Sequence, residues 1–188
     1  MLSLKSLSSN TMFYMTPRRK VWLAVVVFLS WLILSSVALF YFGNQHYGQF
    51  DPKLQNNWLN SRSFQLHQLG LAVMPGIQVV HVQQANCICN SRAKLHITQF
   101  EEKYLLAAQA QTQLTYDQVL QAGLTLPATP AVLVFQHGEL IYAGPYATGP
   151  LCSVSASIIA PIITKAVTLP GLWLNGEAKA CRCLVSSN

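Results

Sequence analysis

The sequence predicts a mixed α/β domain that follows one membrane-spanning helix. Three patterns lead to this prediction. An uncharged apolar run covers Val21 to Gly43, and a β-branched run at Ile77 to Val82 precedes a stretch of helical spacing at Asn90 to Tyr104. A second apolar run, Ala131 to Phe135, is followed by a tight turn and a returning stretch, Glu139 to Ala143. Strands that alternate with helical patterns and then form a hairpin are typical of a mixed sheet covered by helices.

The apolar run is long enough to cross a bilayer. Its 23 residues, VWLAVVVFLSWLILSSVALFYFG, contain no charge and would extend about 34 Å as a helix, against a hydrocarbon core of about 30 Å. Residues 1–20 carry Lys5, Arg18, Arg19 and Lys20 and no acidic residue. The positive-inside rule therefore predicts a cytoplasmic N-terminus and a translocated domain. A cleaved signal peptide is the alternative, but this run exceeds the usual apolar length of such peptides, which favours a retained anchor.

The charge of the protein is concentrated near this segment. Of 12 Lys and Arg residues, four precede the apolar run, so residues 44–188 hold eight basic and six acidic residues, a net charge of +2. The basic pI therefore reports topology, and we predict no nucleic-acid partner. An exported chain with five cysteines is expected to form disulfides.

The rest of the chain divides into a polar spacer over 44–62 and a domain over 63–188. Within the domain, Thr115 to Gln118 resembles a capping box that opens a short helix ending near Gly123. Ser155 to Val167 is apolar enough for a packed helix, and the tail after Leu169 contains turn signals and two cysteines.

Four of the five cysteines form two C-x-C pairs, Cys87-Ile88-Cys89 and Cys181-Arg182-Cys183, while Cys152 stands alone. The first pair lies between a predicted strand and a predicted helix. The positive end of a helix favours a thiolate over a thiol, so this position indicates chemistry.

The order of strand, cysteine motif, helix, Thr-Pro, hairpin and helix resembles the thioredoxin fold over about residues 63–168. In this resemblance, Cys87-Ile88-Cys89-Asn90 occupies the redox loop and Thr129-Pro130 the position of a cis-proline beside it. The resemblance implies thiol–disulfide exchange without a cofactor, with Cys87 as nucleophile, Cys89 as the resolving cysteine, and Pro130 holding a protein disulfide substrate.

The chain is also similar to an uncharacterised family of membrane-anchored, thioredoxin-like proteins of Gram-negative bacteria. The shared marks are the two C-x-C pairs and Gly144-Pro145-Tyr146 followed by Cys152. This similarity implies an inner-membrane protein whose domain faces the periplasm, and it carries no established reaction.

The motif departs from thioredoxin because Asn90 stands where a second redox cysteine is usual. A bridge between Cys87 and Cys89 would close a small strained ring. Otherwise the resolving thiol comes from Cys152, Cys181 or Cys183.

Two other interpretations stay open. The cysteines could be structural, with two bridges tying the tail to the first C-x-C and leaving Cys152 free, or with Cys152 taking part. Alternatively, the two C-x-C pairs could supply four thiolates to copper or zinc. We predict that His81 is a structural histidine and that His96 lies on the surface.

Overall fold

A computed structural model describes residues 16–55, 57–59, 63–104 and 106–185. Two compact units divide between Tyr41 and Phe42. Most of the predicted cytoplasmic N-terminus, residues 1–15, lies outside the described residues, as does Leu105.

The first unit contains helix α1, Pro17–Gln45, which continues into the second unit. Proline suits the first position of a helix because the missing N–H would have no partner there. The apolar side chains of this helix are exposed along its length. Among the described residues, Pro17–Gly43 is the one stretch of helix long and apolar enough to cross a membrane. Both a retained anchor and a signal sequence meet this description, and the chain is compatible with a single-pass membrane protein.

The second unit is a mixed α/β domain. Its helices are α2 (Asn90–Glu102), α3 (Tyr116–Gln121) and α4 (Ile159–Ile163). Its strands are β1 (Tyr47–Gln49), β2 (Ile77–Gln83), β3 (Gln111–Thr115), β4 (Ala128–Thr129), β5 (Ala131–Gln136), β6 (Glu139–Gly144), β7 (Trp173–Leu174), β8 (Lys179–Cys181) and β9 (Cys183–Leu184).

Five strands form the central sheet in the order β3-β2-β5-β6-β7. Strand β2 runs parallel to β3, with α2 in the connection, and antiparallel to β5. Strands β5 and β6 are the antiparallel hairpin, and β7 adds in parallel at the edge. Two further pairs, β1 with β8 and β4 with β9, attach the C-terminal tail to the domain.

The sheet is buried on both faces because alternate residues of its central strands belong to two different core clusters. Val80 and Val82 of β2 pack in one cluster with Leu133. Val79 packs in the other with Val132, since successive side chains of a strand point to opposite faces. Burial on both sides explains why these strands read as continuous apolar runs.

Several elements confirm the sequence predictions. The strand at Ile77, the helix from Asn90 and the hairpin of β5 and β6 are all present. The Thr115 side chain accepts a hydrogen bond from the Gln118 backbone N–H, and the capping box at the start of α3 is complete. Helix α2 begins at Asn90, the first residue of the stretch with helical spacing, and its N-cap is Cys89.

The helix predicted over 155–167 is shorter than expected. Only Ile159–Ile163 is α-helical, after a 3-10 turn at Val154–Ala156. Two local features explain its length. The Ser157 hydroxyl accepts a hydrogen bond from the Ala160 N–H, and Lys165 takes a left-handed conformation with φ 56° just beyond the last turn.

The predicted spacer contributes to the core of the domain. Within 44–62, the described residues include strand β1 and two buried aromatic side chains, Phe50 and Trp58. The Trp58 indole donates a hydrogen bond of 3.0 Å to a carboxylate oxygen of Asp51, which is itself buried. Residues distant in sequence, and not one face of a regular helix or strand, bury these side chains. The segment therefore shows no hydrophobic periodicity.

We expect Trp58→Ala to destabilise the domain by about 3–5 kcal/mol, because a large buried ring is removed and a cavity is left. Denaturant unfolding of the full chain in detergent, followed by circular dichroism, measures this. The neighbouring exposed Asn57, changed to Ala, serves as the control and should alter stability by less than about 0.5 kcal/mol. Equal effects of the two substitutions would contradict the burial of this segment.

Candidate functional site

The first C-x-C pair lies at the junction of β2 and α2. Asn86 takes a left-handed conformation with φ 61°, and this turn directs the chain from the sheet into the helix. Cys89 is the N-cap of α2, and its carbonyl accepts the N–H groups of Arg92 and Ala93. The sulfur-bearing residues therefore lie at the positive end of a 13-residue helix, as the sequence predicted.

Both cysteines of this pair are bonded to the tail. Cys87 bridges Cys183 and Cys89 bridges Cys181, with Cα–Cα distances of 5.8 and 5.7 Å. The structure thus has the connectivity of the structural interpretation in which Cys152 stays free. The small Cys87–Cys89 ring does not form, because each of these residues has a partner opposite it on the tail.

The Thr129–Pro130 loop lies against the first bridge. The Thr129–Pro130 peptide bond is cis, and the Cys87 sulfur is 3.6 Å from the Thr129 carbonyl oxygen. On the other side, Thr129 is the antiparallel register partner of Cys183. The structure therefore places Cys87 beside the Thr129–Pro130 bond, with the Cys89 sulfur within 4.8 Å of the Cys87 sulfur, and adds the tail, as a short extended strand, to the same site.

The site is closed in this form. Cys87 is 7% exposed and Cys89 is fully buried, while Cys181 and Cys183 on the tail are half-buried. Reagents therefore reach the bridges more readily from the side of the tail than from the side of α2.

Arg182 lies between the two tail cysteines and is a buried arginine to which the sequence predictions gave no role. Its side chain is 8% exposed, and its Nε and Nη1 atoms have no hydrogen-bond partner among the described residues. The guanidinium packs over Gly48, where an added Cβ would stand 2.6 Å from Nη2. Burial lowers the pKa of Arg182 from its usual range. The C-x-C spacing was the only sequence signal for this residue.

The sulfurs of Cys87, Cys89 and Cys183 all lie within 4.8 Å of one another. If the bridges were open, this group of thiols would be close enough to share one metal ion. No other group of three or more His, Cys, Asp or Glu side chains in the described part of the chain has this proximity.

A second buried polar cluster lies on one face of the sheet. His81 of β2 is bonded through Nδ1 to the Tyr146 hydroxyl, at 2.9 Å, and through Nε2 to Gln111 Oε1, at 3.0 Å. Because the amide oxygen can only accept, Nε2 carries the proton and Nδ1 accepts from Tyr146. Burial lowers the pKa of His81 to about 4. These contacts agree with a structural His81, and Tyr146 of the Gly144-Pro145-Tyr146 motif is a packing residue.

The prediction that His96 lies on the surface is wrong. His96 is 1% exposed, and its Nε2 lies 2.9 Å from the carbonyl oxygen of Cys152. Ala93, His96 and Phe100 occupy the buried face of α2, and their spacing of three and four residues is the sequence signal that could have identified this face. Burial also raises the pKa of the Cys152 thiol to about 11, so this free cysteine is protonated and unreactive at neutral pH.

The fold and the site define a mixed α/β domain closed by two disulfides and preceded by an apolar helix. Residues 55–185 match a family described as Domain of unknown function (DUF6436). The chain belongs to this family. Neither the comparison with curated proteins nor the comparison with solved structures found a match.

We expect the two bridges to stabilise the domain non-additively. The first bridge to form closes a loop of more than 90 residues, which is worth about 4.7 kcal/mol, whereas the second then closes a ring of about six residues, worth about 2 kcal/mol. Replacing either pair with alanine should therefore cost about 2 kcal/mol, and replacing both pairs about 7 kcal/mol. Denaturant unfolding of the three variants tests this, and a loss in the double replacement that equals the sum of the two single losses would contradict the nested connectivity.

We also expect acid to destabilise the domain through His81. Below pH of about 6.5 the unfolded chain binds a proton that the folded chain excludes down to pH of about 4, so stability falls across this window. The loss reaches about 3 kcal/mol, and the lowered pKa of His96 acts in the same direction.

The measurement is the unfolding free energy as a function of pH, with each variant normalised to its value at pH 7. His81→Gln should flatten the profile. His137→Asn, which changes an exposed histidine on a hairpin turn, is the control and should keep the wild-type shape. A His81→Gln profile as steep as the wild-type one would show that His81 does not cause the acid sensitivity.

Proposed function

We propose that this protein is a membrane-anchored thiol–disulfide exchange protein of the periplasm, with a thioredoxin-like domain. The observation that supports this function best is the position of the Cys87–Cys183 bridge. It lies at the positive end of α2 and beside the cis Thr129–Pro130 peptide, with the tail paired to Thr129 as a partner strand. Cysteine, helix terminus and proline loop are the parts that exchange requires.

The strand order supports the thioredoxin-like assignment. A parallel pair joined by α2, followed by an antiparallel hairpin on the other side of β2, gives the order β3-β2-β5-β6. The proline loop directly precedes β5, where the resemblance requires it.

Charge and disulfide content both favour a cytoplasmic N-terminus and a domain on the opposite side of the membrane. Four basic residues and no acidic residue precede the apolar helix, which favours retention of that end in the cytoplasm. Two disulfides in the domain fit an oxidising compartment on the opposite side.

In the proposed reaction, a partner thiolate attacks the Cys87 sulfur, and Cys183 leaves as a thiolate on the tail. A second partner thiol then releases Cys87 as a thiolate at the helix terminus and completes the two-electron transfer, with the partner oxidised to a disulfide. In the reverse direction, the Cys87 thiolate attacks a substrate disulfide and Cys183 resolves the mixed disulfide.

This mechanism changes one role that the sequence suggested. Cys183, and not Cys89, is the resolving cysteine in our proposal, because it is the residue bonded to Cys87. Cys89 keeps the tail attached through Cys181 while the first bridge is open. Pro130 and the Thr129 carbonyl hold the approaching chain beside Cys87.

A non-catalytic, disulfide-stapled binding domain is the second candidate. The burial of Cys87 and Cys89 favours it, since inert structural bridges are typically protected in this way. The two candidates differ in the reduction potential that they require.

We expect the Cys87–Cys183 bridge to equilibrate with redox buffers between about −120 and −270 mV, the range of exchange proteins. Thiol counting by mass spectrometry after alkylation, on the full chain in detergent, measures the reduced fraction of each bridge. Cys152→Ala is the control and should leave both midpoints unchanged, because Cys152 takes part in neither bridge. Midpoints below about −300 mV for both bridges would establish the stapled domain instead.

A further inference from the structure

The sulfurs at the start of α2 form a compact donor set. Those of Cys87, Cys89 and Cys183 are mutually within 4.8 Å. Three thiolates around one metal ion, each at about 2.3 Å, are separated by about 4 Å. Movements of less than about 2 Å per side chain therefore convert the bridged arrangement into a trigonal one.

The residue between Cys181 and Cys183 carries a positive charge that is largely buried. The Arg182 side chain is 8% exposed, and its Nε and Nη1 atoms lack partners among the described residues. Desolvating an unpaired cation is unfavourable. Disulfide sulfurs carry no charge, so the bridged form does not compensate Arg182, whereas thiolates at the flanking cysteines would.

We propose that, once both bridges are reduced, Cys87, Cys89 and Cys183 bind one Cu(I) ion as thiolates, with the Arg182 guanidinium offsetting the charge of the complex. Like the proposed function, this binding requires that the Cys87–Cys183 bridge opens, and it also requires that the Cys89–Cys181 bridge opens. It assigns a metal site in addition to the exchange reaction.

Each disulfide takes up two electrons and two protons from a dithiol, which becomes a disulfide, and the two bridges yield four thiols. Three of these thiols lose their protons as Cu(I) binds, which gives a tris-thiolate complex of charge −2. Arg182 reduces the local charge to −1.

The donor set selects copper. Soft thiolate ligands favour Cu(I), and the cluster contains no histidine or carboxylate. Zinc prefers four tetrahedral ligands, and the fourth sulfur, that of Cys181, although bonded to Cys89, is not among the sulfurs that all lie within 4.8 Å of one another. Burial of Cys87 and Cys89 suits an ion that needs few ligands and no water.

The test uses the full chain in detergent, reduced with a phosphine under argon and freed of the phosphine. Cu(I) is titrated against a chromophoric chelator specific for Cu(I). We expect one Cu(I) per chain and an ultraviolet thiolate-to-copper absorption band. Cys87→Ser and Cys183→Ser should each weaken binding more than about 100-fold, because losing a ligand costs more than losing an outer-shell partner.

Matched variants test which cysteines bind Cu(I) and whether the positive charge of Arg182 strengthens binding. Cys181→Ser and Cys152→Ser should keep the wild-type affinity. Arg182→Gln should weaken binding about 10-fold, as expected for an outer-shell residue. Lys179→Gln removes an exposed positive charge from the same tail and should have no effect.

Three results would overturn the site: no stoichiometric Cu(I), a loss from Cys181→Ser as large as that from Cys183→Ser, or equal effects of Arg182→Gln and Lys179→Gln. Tighter retention of Zn²⁺ than of Cu(I) would also overturn it. Circular dichroism of the reduced chain controls for folding, and a fold that is lost on reduction and not restored by Cu(I) counts against the site. The redox titration is run without metal, so failure here leaves the exchange proposal standing if the Cys87–Cys183 midpoint lies in the range of exchange proteins.

Discussion

The two nested disulfides hold the end of the chain against the segment that joins β2 to α2. Because Cys181 and Cys183 are fixed opposite Cys89 and Cys87, the residues around them pair with distant strands. Strand β8 lies on β1, and β9 lies on β4 beside the proline loop. The same constraint buries Arg182 above Gly48. The candidate site therefore depends on a covalent link between parts of the chain that are more than 90 residues apart.

Local patterns predicted the elements whose formation depends on neighbouring residues. A few neighbouring residues determine each of these elements: the β-branched apolar run of β2, the turn between β5 and β6, and the capping box at Thr115. The position of Cys87 beside Pro130 was implied by the resemblance to the thioredoxin fold. Local signals identified the central strands of the sheet.

Local patterns could not predict the features that depend on contacts between residues far apart in sequence. Cysteine spacing permits several connectivities, and only the folded chain brings Cys183 opposite Cys87. Phe50 and Trp58 lie in a segment without periodicity and are buried by residues remote in sequence. His96 is polar, yet a carbonyl group from another loop satisfies it within the core. In each case the missing information was the identity of the partner.

The nesting of the bridges bears directly on whether exchange is compatible with a stable fold. With both bridges intact, opening one forfeits only the closure of a ring of about six residues, about 2 kcal/mol, because the other still closes the long loop. For a two-electron couple, this stabilisation lowers the reduction potential of the first bridge to open by about 50 mV. Closure of the long loop lowers the reduction potential of the last remaining bridge by about 100 mV. The positive end of α2 favours thiolates, as does Arg182, whose Nε and Nη1 atoms lack partners among the described residues, and both raise the reduction potential. Opening the Cys87–Cys183 bridge therefore leaves the tail in place through Cys89 and Cys181. The chain can alternate between one and two bridges with its core intact, which is the condition that reversible exchange at a stapled site requires.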